Sequence, residues 1–192
     1  MNELVTGKND ELVMKLLHYF ISEKDYSPII IRGVQGEIWL ENFNENYEVV
    51  RIVSNYIHND EQFAFDIKKT KHLMKAIKKK TFSFRMKVLN IFVNLGDNVH
   101  INNFEDVPKM DMAMIEDETD LSKYRFIIDS FPDITKEMTF KEKGLELFMK
   151  ITGDISKKNE GDAKMNEDVF TMKKPVITWV LIGINVLLFA LS

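Results

Sequence analysis

The chain contains no cysteine among its 192 residues, which excludes disulfides, thiolate metal sites and a cysteine nucleophile. This absence fits a reducing cytoplasm. The chain also lacks an excess of positive charge: its formal net charge is −4, so no overall basic field draws it to nucleic acid. No basic segment followed by an apolar core opens the chain, so a signal peptide is not expected. A hydrophobic share of 45% is enough for one packed domain and a tail.

Charged residues are absent from 175–192, where eleven of eighteen residues are Leu, Ile, Val or Phe. Such a run favours membrane insertion by about 3–7 kcal/mol before polar penalties. As a helix it reaches roughly 27 Å, slightly short of a hydrocarbon core of about 30 Å. We therefore expect Val176–Leu191 to lie in the lipid bilayer as the opening part of a transmembrane helix. Lys173 and Lys174 precede it and place residues 1–174 in the cytoplasm, at the cell membrane. The alternative is a buried C-terminal helix of a soluble protein.

The residues before this run predict one cytosolic α/β domain over 1–152. The segment "DELVMKLLHYFISE" has the apolar spacing of a helix, and "SPIIIRG", "GEIWLENF" and "YEVVRIVS" have the composition of three short strands. A helix is expected over 60–79. The run "FRMKVLNIFV" predicts a fourth strand that is covered on both faces. The predicted order is α-β-β-β-α-β around a small mixed sheet.

A further strand and helix are expected after this core. The segment "YRFIIDSF" predicts a strand, and Met110, Met112 and Met114 fit either a short strand or a helix. The segment "EMTFKEKGLELFMKIT" predicts a helix. Residues 153–174 are polar and mixed in charge, which predicts a flexible linker. The predicted helix presents four apolar side chains, Phe140, Leu147, Phe148 and Ile151.

The ending "PVITWVLIGINVLLFAL" resembles the first transmembrane segment of rhomboid intramembrane serine proteases. Those segments open with a proline and a threonine and then carry an asparagine and a phenylalanine, here Pro175, Thr178, Asn185 and Phe189. The blocks "GEIWLEN", "VVRI" and "FRMKVLNIFV" are similar to the cytosolic N-terminal domain of a group of bacterial rhomboids. The resemblance implies a regulatory or partner-recruiting domain with the first span of a protease that cleaves membrane proteins.

A rhomboid cleaves with a serine–histidine dyad on later spans, and no serine here has the matching glycine context. We therefore predict no catalytic, cofactor-binding or metal-binding residue in this chain. The implied partners are membrane-protein substrates or quality-control factors, and no nucleic acid. The alternative is a tail-anchored, non-enzymatic cytosolic interaction domain.

Two charged runs allow a functional and a structural interpretation. The basic run can face anionic lipid headgroups or an acidic partner, or it can be a solvated helix face. The acidic run Glu105–Asp120 can hold a hard cation weakly, or it can be a solvated loop. The four histidines are not spaced as a ligand pair, and we expect structural or surface roles for them. The basic run comprises Lys68, Lys69, Lys71, Lys75, Lys78, Lys79, Lys80, Arg85 and Lys87.

The predicted element order is also the core order of restriction-endonuclease-like folds. Such nucleases need an acid on the second strand and an acid-x-lysine pair on the third to hold Mg²⁺. The second strand offers Glu37 and Glu41, but on the third Glu48 is followed by Val50 at the required spacing. Arg51 is misplaced for this role. A shared order of elements cannot by itself supply function, and nuclease activity is not predicted.

Overall fold

A computed structural model describes residues 8–29, 31, 35–81, 86–100 and 107–166. The chain forms a mixed sheet with helices on both faces, which confirms the predicted α/β class. The strands are β1 Ser27–Ile29, β2 Glu37–Glu41, β3 Val49–Val53, β4 Ile57–Asn59, β5 Val88–Phe92, β6 Leu95–Asn98 and β7 Met110–Met114. The helices are α1 Lys8–His18, α2 Asp60–Thr81, α3 Arg125–Ser130, α4 Ile134–Glu137 and α5 Gly144–Asn166, with a π-helical turn at Tyr19–Glu23 and a 3₁₀ turn at Glu118–Lys123.

The main sheet has the strand order β1-β2-β3-β5-β7. Strands β1, β2 and β3 are antiparallel neighbours, whereas β3, β5 and β7 run parallel. Strands β4 and β6 were not predicted, and they form a separate parallel pair. Every residue of β3 and β5 is buried, as expected for strands that are covered on both faces. The α-β-β-β-α-β order is therefore confirmed, with β4 inserted before α2.

The two faces of the sheet carry different side chains because strand residues alternate between them. Val50 and Ile52 pack with α1, α3, α4 and α5 in one cluster, and we call this side the aromatic face. Val49 and Val53 pack with α2 in a second cluster. Arg51 lies between these two valines in the strand and shares their side, which we call the charged face.

Phe131 occupies the centre of the aromatic face and is fully buried. Its ring centroid lies 5.3 Å from that of Phe20 and 6.2 Å from that of Tyr19, both in edge-to-face geometry. Tyr26 and Tyr47 contact the same ring at 6.4 and 6.0 Å. Aromatic pairs of this kind contribute about 0.5–1.5 kcal/mol each beyond area burial. Phe131 thus joins the α3–α4 region to the π-helical turn that follows α1 and to the residues that precede β1 and β3.

The segment "YRFIIDSF" was expected to be a strand, and this prediction is wrong. Its residues form α3, and the amide of Phe131 donates to the Ile127 carbonyl at 2.7 Å. Ile127 and Phe131 are four residues apart and both fully buried, so a single helical face carries the burial. A short apolar run does not separate helix from strand by its periodicity. The three methionines, by contrast, lie in strand β7.

Helix α5 begins later and ends later than expected. Phe140 lies before the helix and packs edge-on against His18 at 5.1 Å. Residues 153–166, which were expected to open the polar linker, are helical, because α5 continues to Asn166. The reason is that Ile155 extends the buried face of Leu147 and Ile151 by one more turn. The rest of the linker and the predicted span 175–192 lie outside the described residues. None of the helices that the structure describes combines the length and hydropathy needed to cross a membrane.

Candidate functional site

The charged face has an arginine at its centre. Arg51 is completely buried in the middle of β3, beside Trp39 of β2 and Asn90 of β5 in the sheet register. Its guanidinium carbon lies 5.3 Å from the Trp39 ring centroid and 5.9 Å from that of Phe92. A buried charge is costly unless it is paired and hydrogen-bonded. The arrangement therefore requires anionic partners close by.

Asp66 of α2 and Glu37 of β2 are these partners. Arg51 Nη1 donates to Asp66 Oδ2 at 2.7 Å, and Nη2 donates to Oδ1 at 2.6 Å. This is the bidentate pairing that suits a planar guanidinium and a carboxylate. Arg51 Nε donates to Glu37 Oε2, and Nη1 lies 3.4 Å from Asn90 Oδ1. The guanidinium therefore ties α2 to three neighbouring positions on the sheet.

Lys69 completes the charge balance at the edge of this cluster. Its ammonium donates to Glu37 Oε1 and lies 3.3 Å from Asp66 Oδ1. The Lys69 side chain is 35% exposed, whereas that of Glu37 is 1% exposed. Two acids thus face two bases, and the second base reaches solvent. We call the set Glu37, Arg51, Asp66, Lys69 and Asn90 the buried charge network.

The network keeps its arginine charged. Burial alone lowers the pKa of the Arg51 guanidinium, but the hydrogen bonds and charges of Asp66 and Glu37 outweigh it and raise this pKa. Both carboxylates are therefore engaged with cations inside the fold. Among the described residues there is no group of three or more His, Cys, Asp or Glu that could hold a metal ion. The geometry is that of an internal tie between helix and sheet.

Sequence reasoning considered Glu37 and Arg51 only as parts of a nuclease motif and missed the network. The structure brings the acid of the second strand directly against Arg51, so a guanidinium stands beside it. Glu48 lies elsewhere and accepts the Lys87 backbone N–H at 2.6 Å. A signal was present in the sequence: "VVRIV" and "VLNIF" each place one polar residue at the centre of an apolar strand.

The structure divides the basic run among different environments. Lys69 belongs to the network, and Lys87 pairs with Asp111 at 2.9 Å. Lys78 is half-buried, and burial together with nearby Lys109 lowers the pKa of its ammonium. Lys68, Lys71 and Lys75 are exposed on α2. The side chains of 79 and 80 and all of residue 85 lie outside the described part.

The exposed side of α2 is a continuous stripe. Phe65 is 71% exposed there, and Lys68, Lys71, His72 and Lys75 follow it at helical spacings of three and four residues. We call these five residues the basic stripe. Glu61 is exposed one turn before Phe65 on the same side. The stripe lies on the outer surface of the helix that the buried charge network holds against the sheet.

The described residues of the acidic run make hydrogen bonds and ion pairs within the fold, and they include no group of three or more acids that could hold a metal ion. Asp111 lies in β7 and accepts a hydrogen bond from the Tyr47 hydroxyl at 2.6 Å. Asp117 and Asp120 form a capping box at the 3₁₀ turn, which holds the pKa of both carboxyls below the usual range through hydrogen bonds to Thr119, Lys123 and backbone amides. Glu118 pairs with Lys15 at 2.9 Å. Residues 101–106 of this run lie outside the described part.

Two histidines make contacts to acids. His18 is buried with Nε2 3.4 Å from Asp154 Oδ2, and His100 Nδ1 lies 3.1 Å from Asp60 Oδ2. His58 and His72 are exposed. The four residues thus have the structural and surface positions that their spacing led us to expect.

The chain matches no protein-family model, and comparison with curated proteins gives no match either. The rhomboid resemblance therefore stays a prediction, carried by the sequence blocks quoted above. The site itself consists of two features on α2: an inner side locked to the sheet by paired charges and an outer side that presents lysines and an aromatic ring.

Proposed function

We propose that this chain is a cytosolic regulatory or partner-recruiting domain attached to the cell membrane, in a rhomboid-type intramembrane serine protease. The observation that carries the proposal is the uncharged run 175–192 after Lys173 and Lys174. Such a run favours the bilayer, and the two lysines favour a cytoplasmic position for everything before it. The substrates and quality-control factors of that protease are the proposed partners.

The geometry of the domain supports a binding role in this setting. The carboxylates of Glu37 on β2 and Asp66 on α2 are held inside the fold by Arg51 and Lys69. The exposed side of α2 therefore offers a partner the lysines and the phenylalanine of the basic stripe. A tethered domain raises the local concentration of whatever it binds to about the millimolar range, without any new contact to the membrane core.

Membrane attachment and orientation can be tested with the chain itself. Because the sequence has no cysteine, a Met149→Cys variant carries a single thiol, at a position that is 65% exposed on α5. Expressed in bacterial cells, the chain should stay in the membrane pellet after alkaline carbonate extraction. A membrane-impermeant maleimide should label position 149 in inverted vesicles and not in intact spheroplasts.

The matched control is the same variant without residues 175–192, which should leave the membrane fraction. Carbonate-soluble full chain would contradict attachment through the apolar run. Labelling from the outside of spheroplasts would contradict the cytoplasmic orientation.

The protease context needs the native reading frame. We expect the coding sequence to continue beyond codon 192 into further spans with a Gly-x-Ser motif and a later histidine. In that longer protein, replacing residues 1–166 by a Gly/Ser spacer should change substrate cleavage or partner binding. Unchanged cleavage and binding would refute the regulatory role, and a stop codon after Ser192 would support the tail-anchored alternative.

A further inference from the structure

The basic stripe of α2 has the chemistry of a surface for anionic lipid headgroups. Lys68, Lys71 and Lys75 are exposed, and none of them makes an ion pair with a residue that the structure describes. They follow one another at spacings of three and four, so three like charges lie side by side on one helix face. Such a face is disfavoured alone and is relieved by a surface of opposite charge.

The neighbouring lysines show that this exposure is particular to the stripe. Lys69 turns inward to Glu37 and Asp66, and Lys87 is paired with Asp111. Asp66 on the same helix is occupied by Arg51 and cannot neutralise the stripe. Glu61, at the start of α2, is the acid exposed on the same side. The stripe therefore keeps an excess of positive charge on its outer surface.

Phe65 gives the stripe an apolar element. Its side chain is 71% exposed, although most of the large hydrophobic residues that the structure describes are buried or partly buried. Binding to an anionic membrane surface is strengthened both by electrostatic attraction and by buried apolar area, and the stripe offers its lysines for the first and Phe65 for the second. Recognition of single-stranded nucleic acid would favour several exposed aromatics for stacking, which this face does not present among its described residues.

We propose that the basic stripe of α2 docks the domain flat on an anionic membrane leaflet, with the lysines on lipid phosphates and Phe65 at the headgroup level. This inference rests on the proposed membrane attachment, which brings the domain close to the bilayer. Each basic residue near an anionic leaflet changes the docked-to-undocked ratio by about fivefold. Neutralising three of them should change it on the order of 100-fold.

The test uses the full chain with one fluorescent label. His72→Cys carries an environment-sensitive dye on the stripe, and Met149→Cys carries it on α5 across the sheet. Each variant is reconstituted in phosphatidylcholine vesicles with or without phosphatidylglycerol. We expect a blue shift at position 72 only with the anionic lipid, and no shift at position 149. At 1 M salt the shift should disappear, because the screening length falls to about 3 Å.

Matched variants separate the stripe from net charge. In the His72→Cys background, K68Q/K71Q/K75Q should lower the docked-to-undocked ratio on the order of 100-fold. K136Q/K141Q/K143Q removes the same charge from exposed lysines elsewhere and should leave the ratio unchanged. Phe65→Ser should weaken docking about tenfold, whereas Phe43→Ser, at another exposed phenylalanine, should have no effect.

The outcomes distinguish this inference from the proposed function. A chain that floats with both kinds of vesicle, but whose label at 72 gives the same emission in both, overturns docking and leaves attachment intact. Flotation only with anionic vesicles, lost in K68Q/K71Q/K75Q, supports docking and contradicts the apolar anchor. Flotation with neither kind overturns both. If the emission of the dye at position 72 shifts to the blue when duplex DNA or polyglutamate is added, but not with phosphatidylglycerol, the lipid assignment is overturned.

Discussion

The two faces of the sheet are closed by different interactions. On the aromatic face, Phe131 is surrounded by four aromatic rings and by aliphatic side chains from α1 and α5. On the charged face, the aliphatic cluster under α2 surrounds a buried charge network centred on Arg51. The aromatic face is stabilised by buried apolar area and close packing. The charged face is stable only while each buried charge keeps its partner.

This difference has a thermodynamic consequence. Truncating side chains on the aromatic face lowers the free energy of unfolding in proportion to the apolar area and contacts removed, because each contact is weak and non-directional. Replacing a buried ion network as a whole by apolar side chains costs the protein little stability. Removing one partner costs much more, because a charge is then left buried and unpaired. The charged face also fixes the position of α2, because a bidentate pair has a defined geometry.

Removing Arg51 should have the largest effect. Arg51→Met leaves Glu37 and Asp66 with Lys69 as their remaining basic partner in the network, and we expect a loss of about 3–5 kcal/mol in the free energy of unfolding. The loss is large because one carboxylate is left buried without its guanidinium partner. Urea unfolding at neutral pH measures it.

The control for this prediction removes the three buried charges together. The variant E37L/R51M/D66A replaces them by apolar side chains and leaves Lys69 able to reach water, so most of the lost stability should return. A loss below about 1 kcal/mol in Arg51→Met would contradict the role of the network as the tie between α2 and the sheet.

A substitution on the aromatic face should have a smaller effect with no pH dependence. Phe131→Leu keeps an apolar side chain but removes the ring contacts, and we expect a loss of about 1–2 kcal/mol. The matched control is Phe65→Leu on the basic stripe, which should change stability by less than about 0.5 kcal/mol because this ring is exposed. Equal losses at the two positions would show that Phe131 does not organise this face.

The smallest effect is expected at the polar edge of the aromatic face. Asp133 accepts hydrogen bonds from the Tyr19 hydroxyl at 2.6 Å and from Lys24 at 2.8 Å. Burial alone raises the pKa of this carboxyl, but the bonds from Lys24 and Tyr19 outweigh it and lower the pKa. A lowered folded pKa stabilises the fold above the unfolded value of about 3.9, and this contribution is lost as the pH falls through the folded pKa.

Asp133→Asn should therefore lower the free energy of unfolding at pH 7 by at most about 1 kcal/mol, since the side chain is 41% exposed. The difference between the two proteins should shrink as the pH falls from 5 to about 2. Urea midpoints at neutral and acid pH measure this change. A difference that grows toward acid pH would show that the sign is wrong.

Local patterns in the sequence determined much of the fold. The mainly apolar run "VLNIF" predicted a strand covered on both faces, and the spacing in "DELVMKLLHYF" predicted α1, because periodicity follows directly from how side chains leave the backbone. The α-β-β-β-α-β order followed from these elements. The segment "YRFIIDSF" was misjudged because a short apolar run fits either periodicity until its neighbours decide.

Tertiary structure alone decided the pairing of charges. The sequence shows that Arg51 is flanked by valines and isoleucines, but its partners Glu37 and Asp66 are 14 and 15 residues away and belong to other elements. Likewise, the basic run is uniform in sequence, and only the packing of α2 turns Lys69 inward and leaves Lys68, Lys71 and Lys75 outside. Composition and period are local properties of the chain, whereas ion pairing depends on which side chains the fold brings within a few ångströms.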